Sequence, residues 1–206
     1  MRRYLSLAIL LVVGVLAGVA VRACASDDEP ADALPAAAAP PASFADCRAL
    51  TSPPPESPTS GGTPTGATLP DADLPCLGGG SLRLTDVRGP AVINLWGSWC
   101  PPCRDELPAF RAVASQTAGL VHFLGVDTKD GRTEGEDLVT EFGLPYPNVF
   151  DRDERVRIAL EQPGIPITVL VNSAGQVIYL HNSARLDEAS LTGLIEQHLG
   201  VAVPVG

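Results

Sequence analysis

The amino-acid sequence predicts an α/β domain built on a mixed sheet with helices on both faces. Three observations carry this reading. Residues 91–96, AVINLW, are apolar without alternation, the pattern of a strand buried on both sides. Segments of helical period separate that run from the strand-like runs that follow it. Residues 166–171 and 176–181 flank the turn formed by Asn172, Ser173, Ala174 and Gly175, so the last two strands close as a hairpin.

The elements follow in order. Arg2 and Arg3 precede an almost wholly apolar run from Leu5 to Val21, and Arg22 follows it, so residues 1–24 read as an export signal or membrane anchor. As a helix the run is about 25 Å long, slightly short of a hydrocarbon core of roughly 30 Å. Three fates compete: an uncleaved anchor, cleavage after Ala25 in the small-x-small sequence Ala23-Cys24-Ala25, or a lipid on Cys24. Val21-Arg22-Ala23-Cys24 resembles a bacterial lipobox in which Arg22 fits poorly. Arg2-Arg3 is similar to a twin-arginine signal that lacks the usual preceding polar residue. Each fate places the chain on the extracytoplasmic face of the bacterial membrane or outside the cell.

Residues 25–69 are rich in Ala, Pro, Ser, Thr and Gly and read as a disordered linker, with local ordering expected around Cys47, over residues 44–50. Residues 70–206 form the predicted domain. Residues 81–85 alternate as a short strand and 91–96 form the buried one. The helix starting at Pro101 carries Leu107, Phe110, Val113 and Ala114 on one face, with a kink expected at Pro108. Residues 120–127 make a strand, 134–142 a helix ended by Gly143, and 153–160 a short helix. The last helix spans 187–199, with Asp187 as N-cap, Leu186 and Leu191 as a staple, and Leu191, Leu194, Ile195 and Leu199 facing the core.

A formal net charge of −10 argues against nucleic acid or anionic lipid surfaces as partners, since both demand a basic surface. Of five cysteines, Cys24 belongs to the export segment, leaving four that can pair as Cys47 with Cys76 and Cys100 with Cys103. The first pair reads as a structural disulfide rather than a second redox pair, because neither cysteine opens a helix. It closes a loop of about thirty residues, worth roughly 3.5 kcal/mol in the chain-entropy model.

Cys100 and Cys103 stand where the buried strand gives way to a helix. Unpaired N–H groups and the positive dipole end favour a thiolate at Cys100, and Cys103 one turn further in can close the ring. A structural zinc site would need a second ligand pair, and a haem attachment site would need His where Arg104 stands. Redox chemistry therefore outweighs a structural role. Trp99 reads as a wall of the site and Trp96 as core, and His122, His181 and His198 as ordinary strand or surface residues.

The order of elements, WCPPC, and the later Gly164-Ile165-Pro166-Ile167-Thr168 resemble the thioredoxin fold. NLWGSWCPPCRDELP, Gly125-Val126-Asp127, the stretch from Tyr146 to Asp151, and the stretch from Pro166 to Asn172 narrow the resemblance to the exported, membrane-associated TlpA and ResA type of disulfide reductase. It covers roughly residues 74 to 200. The resemblance implies a cis peptide bond before Pro166, lying against the disulfide, with Ile165 backbone groups pairing with a substrate strand. The expected substrate contacts are Trp99, Pro101, Pro102, Ile165 and Pro166. Asn94 replaces the buried Asp of cytoplasmic thioredoxin, and Glu106 matches a ResA-type glutamate that takes the proton of Cys103. Pro101 and Pro102 have no N–H to offer the Cys100 thiolate, which favours the disulfide product and a reductase.

The expected function is an exported thiol-disulfide oxidoreductase acting on disulfide or dithiol proteins, re-reduced by a membrane thiol-disulfide donor. It needs no cofactor and no metal. The resemblance implies apocytochromes c, copper-site proteins or misoxidised cysteines as substrates. The alternatives are a disulfide-forming oxidase, Cu(I) delivery by Cys100, Cys103 and a histidine such as His181, and a thiol peroxidase, whose lone-cysteine motif is absent.

Overall fold

The computed structural model describes residues 44–58, 62–183 and 185–204. The segment read as signal or anchor, Cys24 included, and residues 25–43 of the expected linker lie outside the described residues. Among the described residues no helix is long and apolar enough to cross a membrane.

Among the described residues seven strands form two sheets. A small antiparallel pair, β1 (Asp73–Pro75) with β2 (Ser81–Arg83), precedes a five-stranded sheet of β3 (Ala91–Trp96), β4 (His122–Thr128), β5 (Asn148–Asp151), β6 (Ile167–Val171) and β7 (Val177–His181). The order across the large sheet is β5-β4-β3-β6-β7. β3 is central, parallel to β4 and antiparallel to β6, which is why both of its faces are apolar. β4 pairs in parallel with β5, and β6 pairs antiparallel with β7 as the expected hairpin.

The faces of the sheet are covered unequally. Val92 and Trp96 belong to a core shared with Leu107, Phe110 and Val113 of α1 (Pro101–Gln116), Leu138 and Val139 of α2 (Arg132–Phe142), and Leu191 of α4 (Glu188–Leu194). Ala91, Ile93 and Leu95 point the other way, into a core shared with Leu50, Leu74, Leu84, Val87 and Val156. Among the described residues, α3 (Arg155–Ala159), 3-10 helices at Cys47–Thr51 and Leu84–Asp86, and the small hairpin contribute that second cover.

That second cover corrects the linker. Residues 44–58 and 62–69 were expected to be disordered apart from 44–50, but they pack on the domain. Leu50 and Leu69 are buried, and the Leu50 carbonyl accepts from Arg88 N at 2.9 Å. Glu56 N donates to Gly119 O and Thr65 N to Val177 O, each at 3.0 Å. A few apolar anchors, a disulfide and backbone hydrogen bonds thus order a stretch whose composition alone could not bury enough surface.

Other elements differ in detail. α1 stays continuous through Pro108. β5, inside the stretch from Tyr146 to Asp151, is a full strand of the sheet, an element that the periodicity of the chain does not mark. α3 is shorter than residues 153–160 because Glu154 has φ +55°, while the Asp151 carboxylate caps the helix by accepting from Arg155 N and Val156 N. α2 ends as expected, with Gly143 in the left-handed region at φ +59°. Asp187 caps α4 by accepting from Ser190 N at 2.8 Å, and the helix widens into a π turn over Ile195–Leu199.

Candidate active site

The site is assembled where the carboxyl ends of β3 and β4 meet the amino end of α1 and the loop before β6. β3 ends at Trp96, whose indole Nε1 donates to Asn148 Oδ1 at 3.2 Å inside the core. The chain then turns. Ser98 donates from both N and Oγ to Asp130, and the Trp99 indole Nε1 donates to Thr128 O at 3.2 Å, so the loop is held by the end of β4. Trp99 is nevertheless 52% exposed, one of two large apolar side chains left out of the core among the described residues.

Cys100 is the N-cap of α1, with Pro101 and Pro102 in the first two helical positions. Its Sγ accepts from Cys103 N at 3.3 Å, and the two sulfurs form a disulfide across a Cα separation of 5.3 Å. The prolines remove the two backbone donors that would otherwise precede Cys103. Cys103 is fully buried, whereas Cys100 keeps a small accessible area. Cys100 Sγ lies 3.9 Å from the Ile165 carbonyl, and the Ile165–Pro166 peptide bond is cis. A second cis bond, Gly89–Pro90, lies before β3 and was not foreseen.

Two cavities flank this loop and share Pro163, Gly164 and Ile165. One, of about 380 Å³, adds Pro102, Pro166 and Arg185; the other, of about 180 Å³, adds Trp99, Lys129 and Arg157. Of the five expected substrate contacts, Trp99, Pro102, Ile165 and Pro166 line these cavities, and Pro101, next to Cys100, lines neither.

Glu106 lies one turn beyond Cys103 and is 1% exposed. Its Oε1 accepts from Asn94 Nδ2 at 2.7 Å and its Oε2 from Leu186 N at 3.2 Å. Burial pushes its carboxyl up to about 7, and the hydrogen bonds from Leu186 and Asn94 only partly oppose that. It is a carboxyl poised to exchange a proton near neutrality.

Sequence reasoning missed a second buried acid. Asp127, at the end of β4, is fully buried and finds no hydrogen-bond donor for either carboxyl oxygen. Burial first, then the neighbouring Asp130 carboxylate, with Glu134 and Asp151 adding, pushes it up to about 9. Gly135 of α2 leaves it the room, since a Cβ there would stand 2.0 Å from Asp127 Oδ2. The signal was present in Gly125-Val126-Asp127, because an acid inside an apolar strand calls for an explanation.

Cys47 and Cys76 form a second disulfide with Cα atoms 6.4 Å apart, in the core on the far face of the sheet from Cys103. Among the described residues no group of three or more His, Cys, Asp or Glu side chains is arranged to hold a metal ion. His122 places Nε2 2.9 Å from Ser52 O, and His198 stacks on Tyr179.

Comparison with known proteins places this geometry. The AhpC/TSA family model matches residues 65–180, more than half of the chain. The chain belongs to the AhpC/TSA family. Within it, the chain is 37% identical over 137 residues to the thiol-disulfide oxidoreductase ResA of Geobacillus thermodenitrificans, covering 65% of this chain and 75% of that one. It is 35% identical over 114 residues to the thiol:disulfide interchange protein DsbE of Pseudomonas aeruginosa, covering 53% of this chain and 62% of that one. Among solved structures, a secreted Mycobacterium tuberculosis disulfide oxidoreductase homologous to E. coli DsbE superposes with a TM-score of 0.57 at 23% identity, over 62% of this chain and 96% of that one. That likeness bears on the fold alone and agrees with the thioredoxin-like architecture. This member of the AhpC/TSA family is a thiol-disulfide oxidoreductase of the ResA and DsbE type.

Proposed function

We propose that the protein reduces disulfides of extracytoplasmic proteins, with Cys100 as nucleophile, Cys103 as resolving thiol and Glu106 as the group that takes the Cys103 proton. The Cys100 thiolate attacks one sulfur of a substrate disulfide; a Cys100–substrate disulfide forms and the other substrate sulfur leaves as a thiolate. Glu106 removes the proton from Cys103, whose sulfur attacks Cys100 and releases the second substrate thiolate. Two electrons have then passed to the substrate, and the Cys100–Cys103 disulfide remains. A membrane thiol-disulfide donor returns the electrons, and residues 1–24 deliver or tether the chain outside the membrane.

The observation that carries this reading is the position of Cys100 Sγ, 3.9 Å from the Ile165 carbonyl beside cis Pro166 and between two open cavities. A substrate strand laid along Ile165 would pair with its backbone and bring its own sulfur to Cys100. The paired prolines support the reductive direction, because they leave the Cys100 sulfur with the single backbone donor from Cys103. The test is the reduction potential of the Cys100–Cys103 pair, measured against thiol buffers. A value near or below about −270 mV supports the reductase, and one near about −120 mV makes the protein a disulfide-forming oxidase instead.

A further inference from the structure

Two donors reach the buried carboxyl of Glu106, and they differ in kind. Leu186 N–H can only donate, so the Oε2 atom it reaches at 3.2 Å is committed as an acceptor. A proton taken up by Glu106 therefore belongs on Oε1, the oxygen that faces Asn94 at 2.7 Å. Asn94 lies in the middle of β3 and is 1% exposed, and its Oδ1 is buried with no hydrogen-bond partner. Leaving an amide oxygen buried and unpaired costs about 1–3 kcal/mol.

The chemistry of an amide accounts for keeping that oxygen there. Its NH2 donates and its oxygen accepts, and half a turn about χ2 exchanges the two without moving the strand. With Glu106 ionised, Nδ2 donates to Oε1, as observed. With Glu106 protonated, the turned amide offers Oδ1 to the Oε1 proton. An aspartate at this position could not donate to a carboxylate, and an apolar residue could do neither.

We propose that Asn94 is a positioning residue for proton transfer: its side-chain amide holds Glu106 in one place through both of its protonation states. The inference rests on the reading of Glu106 as the proton acceptor of Cys103. The other charged or titratable groups around Glu106 leave this role to Asn94. On α1, Arg104 pairs with Glu141, and Asp105 pairs with Arg185 of the loop before α4. In the same loop Asp187 is engaged by Ser190 N. Tyr146 is a buried phenol without a hydrogen-bond partner, kept neutral by burial and by the Glu106 charge. The strand neighbours of Asn94, Gly125 and Thr168, carry no charge.

The experiment follows the Glu106 carboxyl carbon by NMR through a pH titration of the reduced, full chain. In Asn94→Leu the midpoint rises by roughly 1 pH unit, the margin by which the charge-assisted hydrogen bond to the ionised carboxyl exceeds the neutral one to the protonated carboxyl. In Asn94→Asp it rises further, because two carboxyls then face each other. The rate at which Cys103 resolves the mixed disulfide shifts along the pH axis by the same interval. In the unaltered protein, the Asn94 side-chain amide signals move with the midpoint of Glu106. Unshifted midpoints in both variants overturn the proposal, and so does an amide indifferent to the Glu106 titration, a readout that needs no variant to fold. Glu106→Gln separates the two claims: an unchanged pH profile of resolution removes Glu106 as the proton acceptor, while the NMR midpoints still judge Asn94.

Discussion

The described residues hold two disulfides made of the same atoms, and what stands around them differs. Cys47–Cys76 joins residues 29 apart and is sealed in the core beneath β3, with Cys76 next to the edge strand β5. Cys100–Cys103 joins residues 3 apart at a helix amino end, with an exposed tryptophan, a cis proline and a buried carboxyl around it. The first is placed to restrict the chain, the second to exchange electrons. Access, helix position and a proton acceptor, rather than the sulfur–sulfur bond, make a disulfide reactive.

The largest effect expected from breaking this contrast is at Cys100. In Cys100→Ala, insulin disulfide reduction falls to the uncatalysed rate; unchanged turnover would exclude every dithiol-exchange mechanism. Replacing Glu106 by Gln slows resolution by Cys103 on the order of 10²-fold at neutral pH. The wild-type rate rises with pH through about 7 as Glu106 becomes the ionised base, and the variant loses that step. Stopped-flow measurement of mixed-disulfide decay checks both.

The other disulfide should answer to stability rather than rate. Cys47→Ser with Cys76→Ser lowers unfolding free energy by roughly 3.5 kcal/mol in denaturant titrations, through the unfolded chain. The folded variant keeps the wild-type reduction potential, and a shifted potential would make the two disulfides a coupled pair.

The last effect concerns Asp127. Its carboxyl is raised from 3.8 to about 9, so the native state holds a proton that the unfolded chain has released. Stability therefore falls as pH rises through that window, by at most about 1.4 kcal/mol per pH unit. Asp127→Asn removes the slope and leaves the protein more stable in alkali. An identical pH–stability curve would mean that the native carboxyl ionises where an exposed aspartate does.

Much of this site was legible in the chain. The apolar run from Ala91 to Trp96, the Asn172–Gly175 turn and the Asp187 cap each depend on neighbours a few residues away, and each stands as read. Residues 51–58 and 62–69 were misread because their order comes from Gly119, His122 and Val177, partners distant in sequence. Asp127 is visible in the sequence as an acid inside an apolar strand, but the burial that raises its carboxyl comes only once Gly135 of α2 packs against it.

By itself the sequence determined the dithiol, its place at a strand-to-helix junction, the absence of N–H groups at Pro101 and Pro102, and the alternation of helices with strands β3, β4, β6 and β7. Local spacing and residue chemistry suffice for these. Only the tertiary structure decided that Ile165 and Pro166 stand against Cys100, that Asn94 and Leu186 grip Glu106, and that burial holds Glu106 near 7 and Asp127 near 9. These are contacts between segments up to 80 residues apart, and the desolvation that shifts a carboxyl exists only once the sheet and helices have closed around it.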